Sequence, residues 1–238
     1  MQGRKLKSIL FGSFFSALVP LAAFLFLKFK GHDGHILLPA FYGVESIDTG
    51  SDKDGKPRID TTFHRIQGPM LINQLGDTVQ IPQDFKNKIL VVNFFFTSCP
   101  TICPVISHNV KLLNKAFVKN DTAIRFLSIS VDPITDSVPR LRAYAERQNA
   151  NHDKWMFLTG NKESIYAFAR NELKLDLPQS QGDAEDFIHP EQLVLIDKYG
   201  YVRGYYNGLD SNKVRYCAED AAKLLVEKHR FQERKRKS

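Results

Sequence analysis

At 238 residues, with 43% hydrophobic and 25% charged side chains, the chain has room for one compact domain and an extension. Its composition excludes disordered and fibrous classes. The net charge of +7 is concentrated at the ends: residues 1–30 carry +5 and residues 227–238 carry +4, leaving the middle at −2. No basic face for nucleic acid is therefore implied for the folded part. The terminal run Arg234-Lys235-Arg236-Lys237 reads as a solvated tail or as a segment drawn to a membrane surface.

Residues 1–7 form a short basic start, and residues 8–27 an uncharged, strongly apolar run. At a rise of ~1.5 Å per residue this run spans a hydrocarbon core of ~30 Å, so it predicts a transmembrane helix. Arg4, Lys5 and Lys7 before it favour an inside N-terminus, with everything after Lys30 on the outer side. A cleaved signal peptide is the competing reading. The run is longer than a usual signal core and lacks a small-x-small cleavage site, which favours an uncleaved anchor.

Residues 28–63 read as a juxtamembrane linker, whose His32 and His35, flanked by glycine, fit a solvated segment better than a metal site. Residues 70–73 and 78–81 flank Gln-Leu-Gly-Asp and predict a short hairpin. The β-branched and aromatic run 88–97 predicts a central strand buried on both faces. A helix should follow to about residue 119, then a second buried strand over 123–131. Helices are expected over 137–149, with Pro139 in the opening turn, and over 162–173. Strands over 192–197 and 201–206 should pair around Lys198-Tyr199-Gly200, and a helix over 212–231 should close the domain. Strands alternating with helices and a terminal hairpin predict an α/β thioredoxin-like fold, a central mixed sheet flanked by helices, over 64–231, with a basic tail at 232–238.

Three cysteines are present, and outside the cytosol thiols tend to be paired, catalytic or metal-bound. Cys217 fits a helix as a small buried thiol. Cys99 and Cys103 lie where the central strand ends and a helix begins. Sites form at that end of α/β sheets, and a helix N-terminus there favours thiolate. Each precedes a proline, Pro100 or Pro104, and pre-proline residues avoid the α region. The pair should thus frame a pre-helical turn with Pro104 at the first helical position. The sulfurs could then meet as a disulfide or as two ligands of one soft ion. Three intervening residues, rather than the two usual in dithiol oxidoreductases of this fold, tilt the choice toward metal, and an added imidazole would suit Cu(I) and Cu(II). By position that imidazole is His189, in a polar loop just before the strand 193–196, although an isolated loop histidine is more often a surface residue. Asp132 reads as a strand-ending turn before Pro133.

The motifs together resemble the Sco/SenC copper proteins of respiratory oxidase assembly. The resemblance covers roughly residues 65–230. It is carried by Phe95-Phe96-Thr97-Ser98-Cys99-Pro100-Thr101-Ile102-Cys103-Pro104, Leu127-Ser128-Ile129-Ser130-Val131-Asp132-Pro133, Trp155-Met156-Phe157-Leu158-Thr159-Gly160, and Ile188-His189 before Ile196-Asp197-Lys198-Tyr199-Gly200. It implies a copper site on Cys99, Cys103 and His189, the cysteines being also a redox-active pair. It further implies action on the binuclear copper centre of cytochrome c oxidase subunit II, by metal delivery or cysteine reduction, fed by an upstream copper donor or thiol reductant. The place implied is a single-pass inner-membrane protein with its domain on the periplasmic side. Two positions depart from the family: Thr101 stands where an acid is common, and Pro190 follows the histidine and restricts it. The alternative is an extracytoplasmic thiol–disulfide oxidoreductase that uses Cys99 and Cys103 without copper.

Overall fold

The computed structural model describes residues 19–21, 38–51, 54–118, 122–175 and 191–227. The chain divides into residues 1–37 and a second unit from Leu38 onward. Of the first unit only Val19, Pro20 and Leu21 are described, in helical conformation. Most of the predicted membrane span lies outside the described residues, and among those described no helix is long and apolar enough to cross a membrane.

The second unit is built on a seven-stranded mixed sheet in the order β4-β3-β7-β6-β5-β8-β9. Its centre is β5 (Ile89–Phe95), buried at every position, as its unbroken apolar run predicts. β6 (Ile124–Ser130) and β7 (Trp155–Thr159) lie parallel to it, while β8 (Gln192–Ile196) pairs antiparallel on its other side and hydrogen-bonds to β9 (Val202–Asn207). The hairpin β3 (Met70–Asn73) and β4 (Thr78–Gln80) completes the far edge by pairing with β7.

Alternating residues of β5 point to two cores. Ile89, Val91 and Phe95 pack beneath α1 (Ile102–Ala116), α2 (Val138–Gln148) and α4 (Ser211–Val226). Leu90, Val92 and Phe94 face Ile165 of α3 (Lys162–Ala167) and Phe168, where the helix continues with wider turns to Glu172. Each such fully buried side chain contributes about 1.5–3 kcal/mol, so the sheet is a rigid platform for whatever sits at its ends. One polar seam crosses the core. The Trp155 indole N–H donates to Ser128 Oγ (2.9 Å), and that hydroxyl donates to Asn93 Oδ1 (2.7 Å).

The segment expected as linker is not featureless after Val44. β1 (Val44–Ser51) and β2 (Pro57–Phe63) form a separate antiparallel hairpin. Its base is held by Phe41 stacked on Phe63 (4.9 Å) and by the Tyr42 N–H donating to the Val202 carbonyl (3.0 Å). At the same corner of the sheet Gly200 turns β8 into β9 with φ +88°, a conformation in which a residue with a side chain would be strained, and its carbonyl accepts from the Ile66 N–H (2.9 Å).

Candidate metal and redox site

After Phe95 the chain leaves the sheet in a turn that carries Thr97, Ser98 and Cys99, while the Val131 N–H still donates to the Phe95 carbonyl (2.9 Å). The turn is pinned from below by Asp136, a wholly buried carboxylate. Its Oδ2 accepts from the Thr97 N–H (3.1 Å) and from Ser130 Oγ (2.6 Å), and its Oδ1 from Thr97 Oγ1 (2.5 Å). Arg140 Nε in turn donates to Thr97 Oγ1 (2.8 Å). The sequence reading missed this network. Its signal is that Asp136 follows β6, the strand parallel to β5, so both turns meet at one sheet end.

The expectation that both cysteines precede the helix is corrected for one of them. α1 begins at Ile102, so Cys103 lies within its first turn and Pro104 is the third helical residue. A proline there is tolerated because the first N–H groups of a helix have no intrahelical acceptor. The Cys103 N–H instead points at Cys99 Sγ (3.5 Å), and Thr101 Oγ1 lies 3.9 Å from that sulfur. All three cysteines are free thiols, with Cys99 7% and Cys103 4% exposed.

These contacts split the pair. Burial pushes the Cys99 thiol up, but hydrogen bonds from the backbone and thiol of Cys103 and from the backbone and hydroxyl of Thr101 outweigh it. Cys99 ends below the ordinary thiol value. The Thr101 position, noted as a departure from the family, thus supplies a donor to the sulfur. Cys103 goes the other way. Burial, the bond to Cys99 and the charges of Cys99 and Asp136 carry it up to about 12 against a bond from Phe96. The arrangement makes Cys99 the more acidic thiol of the pair and Cys103 the one that holds its proton.

His189 and Pro190 lie outside the described residues. The strand that follows them can be located: β8 runs antiparallel to β5, so its start at Gln192 stands at the end of the sheet where β5 finishes. The Gly208 N–H donates to the Glu191 carbonyl (2.5 Å), and the Gly208 carbonyl accepts from Asn109 of α1 (2.7 Å). Among the described residues no group of three metal-binding side chains occurs. Cys217 is fully buried on α4, as expected, with its thiol pushed up chiefly by burial. Asp132 makes a turn, its Oδ1 accepting from the Thr135 N–H (3.3 Å).

A mixed sheet between helical layers, with two free thiols at the end of its central strand, defines a thioredoxin-like protein. Residues 58–225 match the SCO1/SenC family model, and the chain belongs to that family. The SCO1 protein homolog of Bacillus subtilis (strain 168) is 31% identical over 140 residues, covering 58% of this chain and 72% of the relative. The structure of BsSco, described as a Sco-family cytochrome c oxidase assembly protein with a disulfide switch, is 26% identical. It matches with a TM-score of 0.58 over 69% of this chain and 95% of that one. The Arabidopsis thaliana ScoI structure, which has copper bound, is 25% identical, with a TM-score of 0.54 over 67% and 98% of the two chains.

Proposed function

We propose that this chain is a membrane-anchored copper protein that holds copper at Cys99, Cys103 and His189. It delivers the metal to the binuclear copper site of cytochrome c oxidase subunit II during assembly, or reduces the cysteines of that site. The observation that carries this reading is the pair of free thiols at the junction of β5 and α1, with Cys99 held below the ordinary thiol value by its hydrogen bonds. Two thiolates and an imidazole form a donor set suited to both copper oxidation states. Copper binding would draw the proton from Cys103, so uptake should release acid. The entry of β8 beside the cysteine end supports His189, since the two residues from 189 to 191 reach at most ~7 Å. Copper in the Arabidopsis relative and the oxidase-assembly description of BsSco support the metal and the partner. Anchorage by residues 8–27, with the domain on the periplasmic side, rests on the apolar run and the basic residues before it.

A second reading is favoured by the unequal thiols. In a reductase the Cys99 thiolate attacks a target disulfide, forming a mixed disulfide and releasing one target thiol. Cys103 then loses its proton and attacks Cys99, releasing the second target thiol and leaving a Cys99–Cys103 disulfide. Two electrons pass from the pair to the target. The BsSco disulfide switch supports this chemistry in a relative.

A strain lacking the protein, grown at low copper and complemented with variants, separates these readings. Cys99→Ser should fail to restore oxidase activity under either, whereas His189→Ala should fail only where copper is held. Full oxidase activity in the uncomplemented strain would contradict the assembly role.

A further inference from the structure

The opposite end of the sheet from the cysteines carries a second feature. A cavity of ≈ 410 Å³ opens there, lined by Arg65, Lys86, Lys88 and Lys198, with Phe85 and Leu90 at its floor. Arg65 and Lys86 are exposed, and Lys88 and Lys198 are half-buried. Their contacts are mostly with uncharged groups: Arg65 Nε with the Tyr199 carbonyl (2.5 Å), Lys88 Nζ with the Thr122 carbonyl, and Lys198 Nζ with the Glu227 carbonyl (3.2 Å). Asp197 and Glu227 share the one guanidinium of Arg203 (2.8 and 3.0 Å), while Asp84 accepts only the neutral Gln80 N–H (2.7 Å) and keeps its charge. Arg65, Lys86, Lys88, Lys198 and Arg203 are five cations against these three carboxylates, so a local excess of two positive charges is hidden in the near-neutral charge of the middle of the chain.

Arg203 also fixes where the chain enters and leaves the domain. Its Nη2 donates to the Pro39 carbonyl (2.9 Å), two residues into the unit, while its Nη1 holds Glu227, the last described residue. Both exits therefore meet beside Asp197 on the wall of this cavity. Beyond Glu227 the sequence adds Lys228, Arg230, Arg234, Lys235, Arg236 and Lys237 against one acid, Glu233. Before Leu38 only ten residues separate the unit from the apolar run 8–27, a reach of at most ~35 Å. Cys99 lies beyond the far end of β5, whose seven residues span ~23 Å.

We infer that the face formed by Arg65, Lys86, Lys88 and Lys198 docks on an anionic phospholipid surface, turning the Cys99–Cys103 end outward. This rests on the reading of residues 8–27 as an anchor. A tethered basic face gains attraction from every lysine or arginine near an anionic bilayer and loses it when salt shortens the Debye length.

The test is lysine footprinting of the full chain in nanodiscs of phosphatidylcholine alone or with about one-third phosphatidylglycerol. Acetylation of Lys86, Lys88 and Lys198 is read by mass spectrometry against Lys162, which follows β7 at the cysteine end. On the anionic discs the three rates should fall about fivefold relative to Lys162, and about 1 M salt should restore them. In Lys86→Glu/Lys198→Glu, Lys88 should lose its protection while the unfolding midpoint holds. Equal rates on both discs would overturn the inference. So would the same protection produced on neutral discs by inorganic phosphate, which would mark a free-anion pocket. Should the chain fail to insert into discs, the anchor reading falls separately. Co-sedimentation of that chain with phosphatidylglycerol vesicles then decides the inference, binding lost in the double variant supporting it and no binding overturning it.

Discussion

Replacing Asp136 with alanine tests whether the cysteine turn is held from beneath. The carboxylate is fully buried and receives three hydrogen bonds of 2.5–3.1 Å, two from Thr97 and one from Ser130. Hydrogen bonds to a charged group are worth about 1.5–3 kcal/mol each, and the stranded donors add desolvation costs. The Arg140 contact, at 3.9 Å and half exposed, adds little. Because the broken bonds share one acceptor and are not additive, the expected loss is about 3–5 kcal/mol, a large share of ordinary domain stability. Asp136→Asn keeps the shape and one acceptor oxygen, so it should cost less, about 1–2 kcal/mol. Urea denaturation of the reduced protein measures both. The removed charge also raises Cys103 in the wild type, so alanine should lower that thiol's pKa, read by its alkylation rate against pH. A loss below about 1 kcal/mol with unchanged thiol reactivity would refute the reasoning.

Further outcomes follow from other parts of the molecule. Arg203→Ala leaves the buried Asp197 carboxylate without its guanidinium and should cost about 3–5 kcal/mol in urea denaturation; a loss near zero would show the pair is dispensable. Native-state alkylation followed by mass spectrometry should modify Cys99 first, Cys103 much more slowly and Cys217 last, and early labelling of Cys217 would contradict its burial. Stability of the reduced protein should fall as pH rises above the ordinary thiol value of 9.0. Above that point Cys217 ionises in the unfolded chain but stays protonated when folded, so the unfolded state binds fewer protons and the slope is negative. Cys217→Ala should flatten the decline by about 1.4 kcal/mol per pH unit, and an unchanged slope would show the thiol is not the source.

How far the sequence disclosed this molecule depended on whether a signal was local. β5 was legible because an unbroken apolar run has one plausible place, the centre of a covered sheet. The pairs β3–β4 and β8–β9 were legible from the turn residues Gln-Leu-Gly-Asp and Lys198-Tyr199-Gly200 between short apolar runs. The β1–β2 hairpin was not, because every residue of β1 is exposed and no buried face imposes an alternation. β7 was recognised as a motif and not as a strand, its five residues being too few for a periodic signal. Cys99 could be located because a strand-to-helix junction is written locally, whereas Asp136 acts across 39 residues through the parallel pairing of β5 and β6. The helical placement of Cys103 ran against the pre-proline preference, a weak bias that the free N–H groups of a first turn override.

The central claim is a copper site made by two thiols and one imidazole. Anaerobic Cu(I) titration of the full chain against a competing chelator, repeated with Cys99→Ser, Cys103→Ser and His189→Ala, addresses it most directly. One tightly held copper per chain is expected, lost in either serine variant and clearly weakened in the alanine variant. Binding well short of one equivalent, or affinities unchanged by the three substitutions, would contradict it.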